Sequence, residues 1–313
     1  MKKLTAFILF CAIALGLYAQ KTTNKSAVAK SEPLANSLLW KISGHGLSHP
    51  SYLFGTMHIL CSDDAQLSDS LEYVIRTTDK VYFEIDMDNM MEMMGALRYI
   101  RMNGNQKLAD LLSEGDYKKV KDYFTKNPSM IPFSMMEKFK PYFIASLLSE
   151  QKMDCPQKDG MEQVIMTYAK KNGKEIKGLE TAAYQASIFD SIPYKMQADQ
   201  LVKMIDSIDV KSNDDTDLED VYRSQDLSKI QEMVMKEDDI NQSLDLLLYN
   251  RNKNWAIKIN DIIQSTPCLF AVGAAHLPGD LGVINLLKKQ GYVLTPVKHA
   301  PANKNTQVAI AHR

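Results

Sequence analysis

Five short apolar runs punctuate the chain, and the stretches between them carry apolar residues at three- and four-residue spacing. The runs are "LLWKISG" at 38–44, "SYLFGTMHI" at 51–59, "KVYFEIDM" at 80–87, "KEIKGLET" at 174–181 and "TPCLFAVGAA" at 266–275. Each is strand length, and Gly, Pro, Asn or Ser residues bound it, as in "HGLSHPS" at 45–51 and Asn172-Gly173. The segment 62–79 predicts a helix capped at Ser62 or Ser68. Helices are predicted across 106–127, 134–152 and 159–173, and a further helical block runs from Tyr194 to Gln264. Strands separated by helices favour an α/β class: a central mixed sheet built from two quasi-equivalent halves, with a large helical insertion over about 88–265. The acidic run "SNDDTDLED" at 212–220 lacks the central glycine of a calcium loop and reads as a solvated helix start. No repeat of solenoid period is present.

The ends read differently. Residues 1–19 combine Lys2 and Lys3 with an apolar stretch too short for a typical span, the pattern of a signal peptide. Residues 20–35 form a polar leader, 36–300 a single domain and 301–313 a disordered tail. The expectation is an exported protein, periplasmic or secreted, with no stable membrane span after cleavage. Losing two lysines takes the formal charge from −1 to −3, and no basic tract remains to favour nucleic acid. Of the four cysteines, Cys11 falls in the signal segment. Cys268 sits in an apolar strand, which leaves Cys61 and Cys155, both in polar loop contexts, as the pair predicted to form a disulfide.

Two of the strand-like runs end in Gly-x-x-His, at Gly55–His58 and Gly273–His276. Glycine permits a tight turn at a strand end, and imidazole serves as metal ligand or general base. The bland alternative for each is a core histidine bonded to a backbone carbonyl. Glu84 lies within "VYFEID" and Glu180 ends "IKGLE", places where a buried carboxylate is costly unless paired or metal-bound. Alternation would instead turn Glu84 to solvent, and Glu180 would cap the next helix. Arg251 is a candidate for electrostatic support, against a surface or ion-paired role. Cys61, three residues after His58, is a further candidate ligand, set below disulfide formation or burial. The methionine-dense 86–102 segment reads as core packing or as a substrate-facing groove. His-Glu-x-x-His, Gly-x-Ser-x-Gly, phosphate-loop and Cys-x-x-Cys motifs are all absent from the sequence.

Taken together, "YLFGTMHIL", "VYFEID", "GLETAAYQ", "RNKNWAIKI" and "LFAVGAAHLPGDLGVINLLKKQGYVLTPV" resemble the TraB/GumN family over residues 38–297. That family includes Tiki-like metalloproteases, and its fold is thought similar to erythromycin-esterase-like and ChaN-like proteins. The resemblance implies metal-dependent hydrolysis of a peptide or protein substrate with manganese or cobalt, and the nitrogen and oxygen donors themselves suit zinc or iron as well. It implies His58, Glu84, Glu180 and His276 as metal ligands, with Glu84, Glu180 and Arg251 in catalysis. The family's Gly-Leu-Asp is replaced here by Gly160-Met161-Glu162, which leaves the role of Glu162 in question. The alternatives are a metal-independent hydrolase in which histidine activates water, and a non-enzymatic periplasmic protein that binds haem, metal or peptide.

Overall fold

The protein is described by a computed structural model covering residues 34–153, 155–208, 218–236 and 243–299. The expected signal segment, the tail from 301 and most of the acidic run lie outside these residues. Among the described residues the strands are β1 (Leu39–Ser43), β2 (Ser51–Thr56), β3 (Leu60–Cys61), β4 (Lys80–Ile85), β5 (Lys158–Asp159), β6 (Glu175–Glu180), β7 (Cys268–Gly273) and β8 (Val293–Val297). Six of them form one sheet in the order β6-β4-β7-β2-β1-β8, while β3 and β5 pair separately.

The five apolar runs become β1, β2, β4, β6 and β7, and the fold is the expected α/β class with a mixed sheet and large helical insertions. Strands β6, β4, β7 and β2 are mutually parallel, whereas β1 runs antiparallel to both β2 and β8. Every residue of β7 is buried, as an unalternating apolar run requires when both faces of a parallel sheet are covered. The two Gly-x-x-His strands are direct neighbours, with Gly55 opposite Val272 and Thr56 opposite Gly273. Between β1 and β2 the chain reverses through Gly44, His45 and Gly46, all at positive φ.

The helix Asp69–Thr77 starts at Ser68, whose hydroxyl accepts from Leu71 N–H, so the second of the two predicted caps is the one used. Two long helical predictions are each broken. Within 106–127 the helix Glu114–Lys126 begins afresh because Ser113 caps it, accepting from Asp116 N–H. Within 134–152 the helix Pro141–Lys152 starts at Pro141, which lacks an N–H and has φ preset for a first helical turn. The expected helical middle also contains β6, which returns the chain to the sheet.

Packing divides into two main apolar clusters. One surrounds the sheet and includes Phe54, Phe83, Phe270, Ile259 and Trp255. The other lies among the inserted helices around Phe124, Phe143, Ile144, Phe189 and Leu201. The methionine-dense segment is divided: Met87, Met93 and Met102 are buried as core packing requires, while Met90, Met91 and Met94 are exposed. No helix among the described residues is long and apolar enough to cross a membrane.

Cys61 and Cys155 form the expected disulfide, with Cα atoms 5.8 Å apart, and Cys268 is free and buried. The bond rules out Cys61 as a free thiolate ligand. Next to it, β3 pairs with β5, and Met161 N–H donates to Met57 C=O at 3.0 Å. The loop after β2 is therefore fastened to the start of the helix Met161–Lys171. Replacing both cysteines by serine should cost about 2–4 kcal/mol, the usual range for a disulfide closing a long loop. Denaturant unfolding of oxidised wild type and the double variant measures it; equal midpoints would show that the cross-link constrains nothing.

Candidate active site

Because β6, β4, β7 and β2 are parallel and adjacent, their carboxyl ends share one sheet edge, where open α/β sheets gather ligands. Glu180 ends β6, Glu84 is the penultimate residue of β4, His276 closes a 3-10 turn after β7, and His58 follows β2 by two residues. The structure thus brings all four sequence candidates to neighbouring strand ends. Arg251 reaches them from the buried face of the helix Asn250–Ile263. Glu84 is only 6% exposed, so the solvent-facing alternative fails. Thr181, not Glu180, caps the helix Ala182–Ile188 by accepting from Tyr184 N–H.

Arg251 binds both carboxylates. Its Nη2 donates to Glu84 Oε2 at 2.5 Å and to Glu180 Oε1 at 2.6 Å, and its Nε to Glu180 Oε1 at 3.0 Å. Trp255, one turn further along the helix, donates its indole N–H to Glu180 Oε2 and lies under the guanidinium, 4.6 Å from ring centre to Cζ. Gln185 Nε2 donates to Glu84 Oε2 at 2.9 Å and Glu180 Oε1 at 3.1 Å. Burial opposes the charge on Glu84, but Arg251 and the neighbouring imidazoles outweigh it, holding the carboxyl well below its usual range. Glu180 shifts the other way: burial raises it, opposed by Arg251.

His276 has its roles fixed by its partners. A guanidinium can only donate, so Nε2, 3.2 Å from Arg251 Nη1, is the acceptor. Nδ1 then carries the proton and donates to Asn252 Oδ1 at 2.6 Å, while Asn252 Nδ2 donates to Leu281 C=O. Burial pushes the His276 imidazole down to about 3, against the attraction of Glu84, so it is neutral.

His58 is set oppositely. Its Nδ1 meets Glu162 Oε1 at 2.6 Å, an ionic contact without the alignment of a hydrogen bond. Burial acts to lower it, but Glu162, followed by Glu84, prevails and raises it to about 9. Glu162 Oε1 also accepts from Thr56 Oγ1 at 2.5 Å, whereas Glu162 Oε2 is buried with no protein partner. Gly160 makes this approach possible, since any Cβ there would lie 2.4 Å from His58 O. Gly273 plays the same part on β7. Its N–H donates to Glu84 Oε1 at 2.8 Å, and a Cβ would meet Glu84 Oε1, His276 and His58 Nε2 within 3.7 Å.

A cleft opens over this edge, lined by His58, Phe83, Glu84, Ile85, Met87, Glu162 and Gln185. Glu180 and His276 stand behind Glu84, each in contact with Arg251. Glu162, doubtful from the sequence, is at the centre. Asn252 and Trp255 were within reach of sequence reasoning, since they stand one and four positions after Arg251 on one helix. Gln185 carried no signal beyond its place in "GLETAAYQ".

With His276 neutral, Arg251 balances one of two carboxylates and His58 balances Glu162, leaving one buried negative charge. A further proton or cation would neutralise it. As packed, however, the donors do not fit a metal: among the described residues no three His, Cys, Asp or Glu side chains are arranged to hold one. Arg251 takes the free nitrogen of His276 and one oxygen of Glu84, the lone pairs an ion would need.

The His58 ring should titrate near pH 9 and His276 should remain neutral down to about pH 3, as followed by NMR of the imidazole protons. Glu162→Gln should return His58 below its ordinary value of about 6.5, because burial then acts with less opposition. A raised histidine stabilises the fold fully below pH ~6.5 and loses that contribution as pH rises through about 9. Wild type and variant should therefore converge in stability on the alkaline side. An unchanged His58 titration in Glu162→Gln would contradict the pairing.

Residues 38–296 match the model of the TraB/PrgY/gumN family. Among curated proteins, the chain is 24% identical over 317 residues to "Metalloprotease TIKI homolog" of Amphimedon queenslandica, covering 82% of this chain and 61% of that protein. It is 21% identical over 320 residues to "Metalloprotease TIKI2" of Danio rerio, with 85% and 61% covered. With "Metalloprotease TIKI1" of Xenopus tropicalis it shares 22% identity over 357 residues, covering 96% of this chain and 69% of the relative. The chain thus spans less than two thirds of the length of the first two relatives. No solved structure matches it. With the family model matched from the first strand to the last, this chain belongs to the TraB/PrgY/gumN family.

Proposed function

We propose that the protein is a hydrolase of peptide bonds whose reacting groups are His58 and Glu162, with Glu84 in electrostatic support. The observation that carries this reading is the pairing of a proton-bearing His58 with a carboxylate whose second oxygen has no partner, both lining one cleft. The names of the relatives support the peptide as substrate class. In the reaction, Glu162 Oε2 takes a proton from water as the water oxygen attacks the carbonyl carbon. His58 then donates its proton to the leaving nitrogen as the C–N bond breaks, and the proton on Glu162 returns to His58. Glu84, held ionised, keeps positive charge on His58. General acid–base groups of this kind contribute about 10²–10⁴-fold each.

A second reading, metal-dependent hydrolysis, is favoured by the cradle around Gly273 and by the unbalanced negative charge of the site. His58, Glu84, Glu180 and His276 would supply the donors to manganese, cobalt or zinc, once Arg251 releases Glu84 and His276. Such an ion would supply polarisation of a carbonyl and acidification of a bound water. Export to the periplasm or medium belongs to the same proposal and rests on the composition of residues 1–19.

Peptide-library cleavage by untagged protein, with chelator and with each added metal, tests both readings. Glu162→Gln and His58→Gln should each lower kcat/KM by about 10²–10⁴ with the fold retained. Activity that survives chelation assigns the metal-free route. Activity restored only by one ion assigns the metal route. No cleavage under any condition would sink the hydrolase reading and leave binding of haem, metal or peptide, which absorbance and calorimetric titrations measure.

A further inference from the structure

Beside the cleft lies a second, smaller pocket that the reaction above does not use. It is lined by Ile85, Ala96, Ile100, Phe143, Ala182, Gln185 and Ala186. Ile85 and Gln185 are walls of both spaces, so the two adjoin across these two side chains. Apart from the Gln185 amide, every lining side chain is apolar.

Its position explains why it is there. Ile85, Ala96 and Ala182 belong to the cluster around the sheet, and Ile100, Phe143 and Ala186 to the cluster among the inserted helices. The pocket therefore falls on the seam between two separately packed cores, a preferred place for ligand sites. Three of its walls are alanines, each at most 7% exposed. Alanine at a seam between helices leaves room that leucine or isoleucine would fill. A small apolar cavity of this kind holds water poorly and takes apolar groups instead.

We infer that this pocket is the specificity subsite of the hydrolase, receiving a methyl-sized apolar side chain of the residue next to the scissile peptide bond. The inference rests on the hydrolase reading given above. Gln185 stands at the junction, its Nε2 held by Glu84 and Glu180. It fixes the partition between the charged cleft and the apolar pocket. A charged substrate side chain in the pocket would meet no partner and carry an uncompensated desolvation cost. A methyl group would fill the space, which has room for one group of about that size.

The test is a peptide series varied at a single position beside the cleaved bond. Wild type should prefer alanine over leucine, aspartate or lysine by about 10-fold or more, the scale set by one or two methylenes in a closed pocket. Ala186→Leu fills the pocket and should lower kcat/KM for the alanine peptide about 10-fold, with the glycine peptide unaffected. Ile100→Ala widens it and should shift preference towards larger side chains. The two variants change the pocket in opposite directions, so either one that melts as a folded protein suffices. Cleavage with no preference among these peptides, or an unchanged profile in a folded variant, would overturn the subsite while leaving the hydrolase reading intact. Absence of all cleavage by wild type, with or without metal, would remove both.

Discussion

A single buried guanidinium orders the sheet edge. Arg251, 2% exposed, must be paired, and its fork reaches the carboxylates at the ends of two adjacent strands while a third nitrogen meets His276. Taking one partner from such a cluster leaves an uncompensated charge in the interior, at a cost of about 3–5 kcal/mol. The positions of β4, β6 and the turn after β7 are thereby coupled to one helix. Asn252 and Trp255 extend that coupling, the first by fixing the proton of His276 and the second by bonding Glu180. The same constraint keeps Glu84 ionised and makes His276 a neutral acceptor rather than a base.

The opposite side of the cleft is held by different means. His58 and Glu162 come from segments about a hundred residues apart, whose Leu60, Met161 and Ile165 share the core around the sheet. The Cys61–Cys155 bond, the β3–β5 ladder and the Met161–Met57 hydrogen bond fasten the two segments further. Gly160 lets them approach without a Cβ in the way. One half of the site thus depends on buried charge and the other on covalent closure, and the two meet at Gly273. A Cβ there would press on Glu84 Oε1 at 3.2 Å and touch both imidazoles.

The legible part of the fold was the part governed by local patterning. Unalternating apolar runs marked the parallel strands, and the cysteine contexts marked the disulfide. The breaks at Ser113 and Pro141 were also written in the chain, as a capping hydroxyl and a first-turn proline, but apolar spacing continued across both and masked them. The convergence of His58, Glu84, Glu180 and His276 followed from four strand ends on one parallel edge. What the sequence withheld was orientation. Alternation could not say that Glu84 faces inwards, nor that Arg251 is drawn to the carboxylates rather than to solvent. Glu162 was hidden for another reason: its place opposite His58 depends on a long-range cross-link and a close backbone approach, neither of which leaves a periodic trace.

The central claim is that Arg251 and Glu84 are energetically one unit. A double-mutant cycle on stability, with Arg251→Met, Glu84→Gln and the pair, measures it most directly. The account predicts a coupling of about 3 kcal/mol or more, because Arg251→Met strands the Glu84 carboxylate beside Glu180, a charge that adding Glu84→Gln removes. Single effects that add to within about 0.5 kcal/mol would show two independent side chains and contradict it.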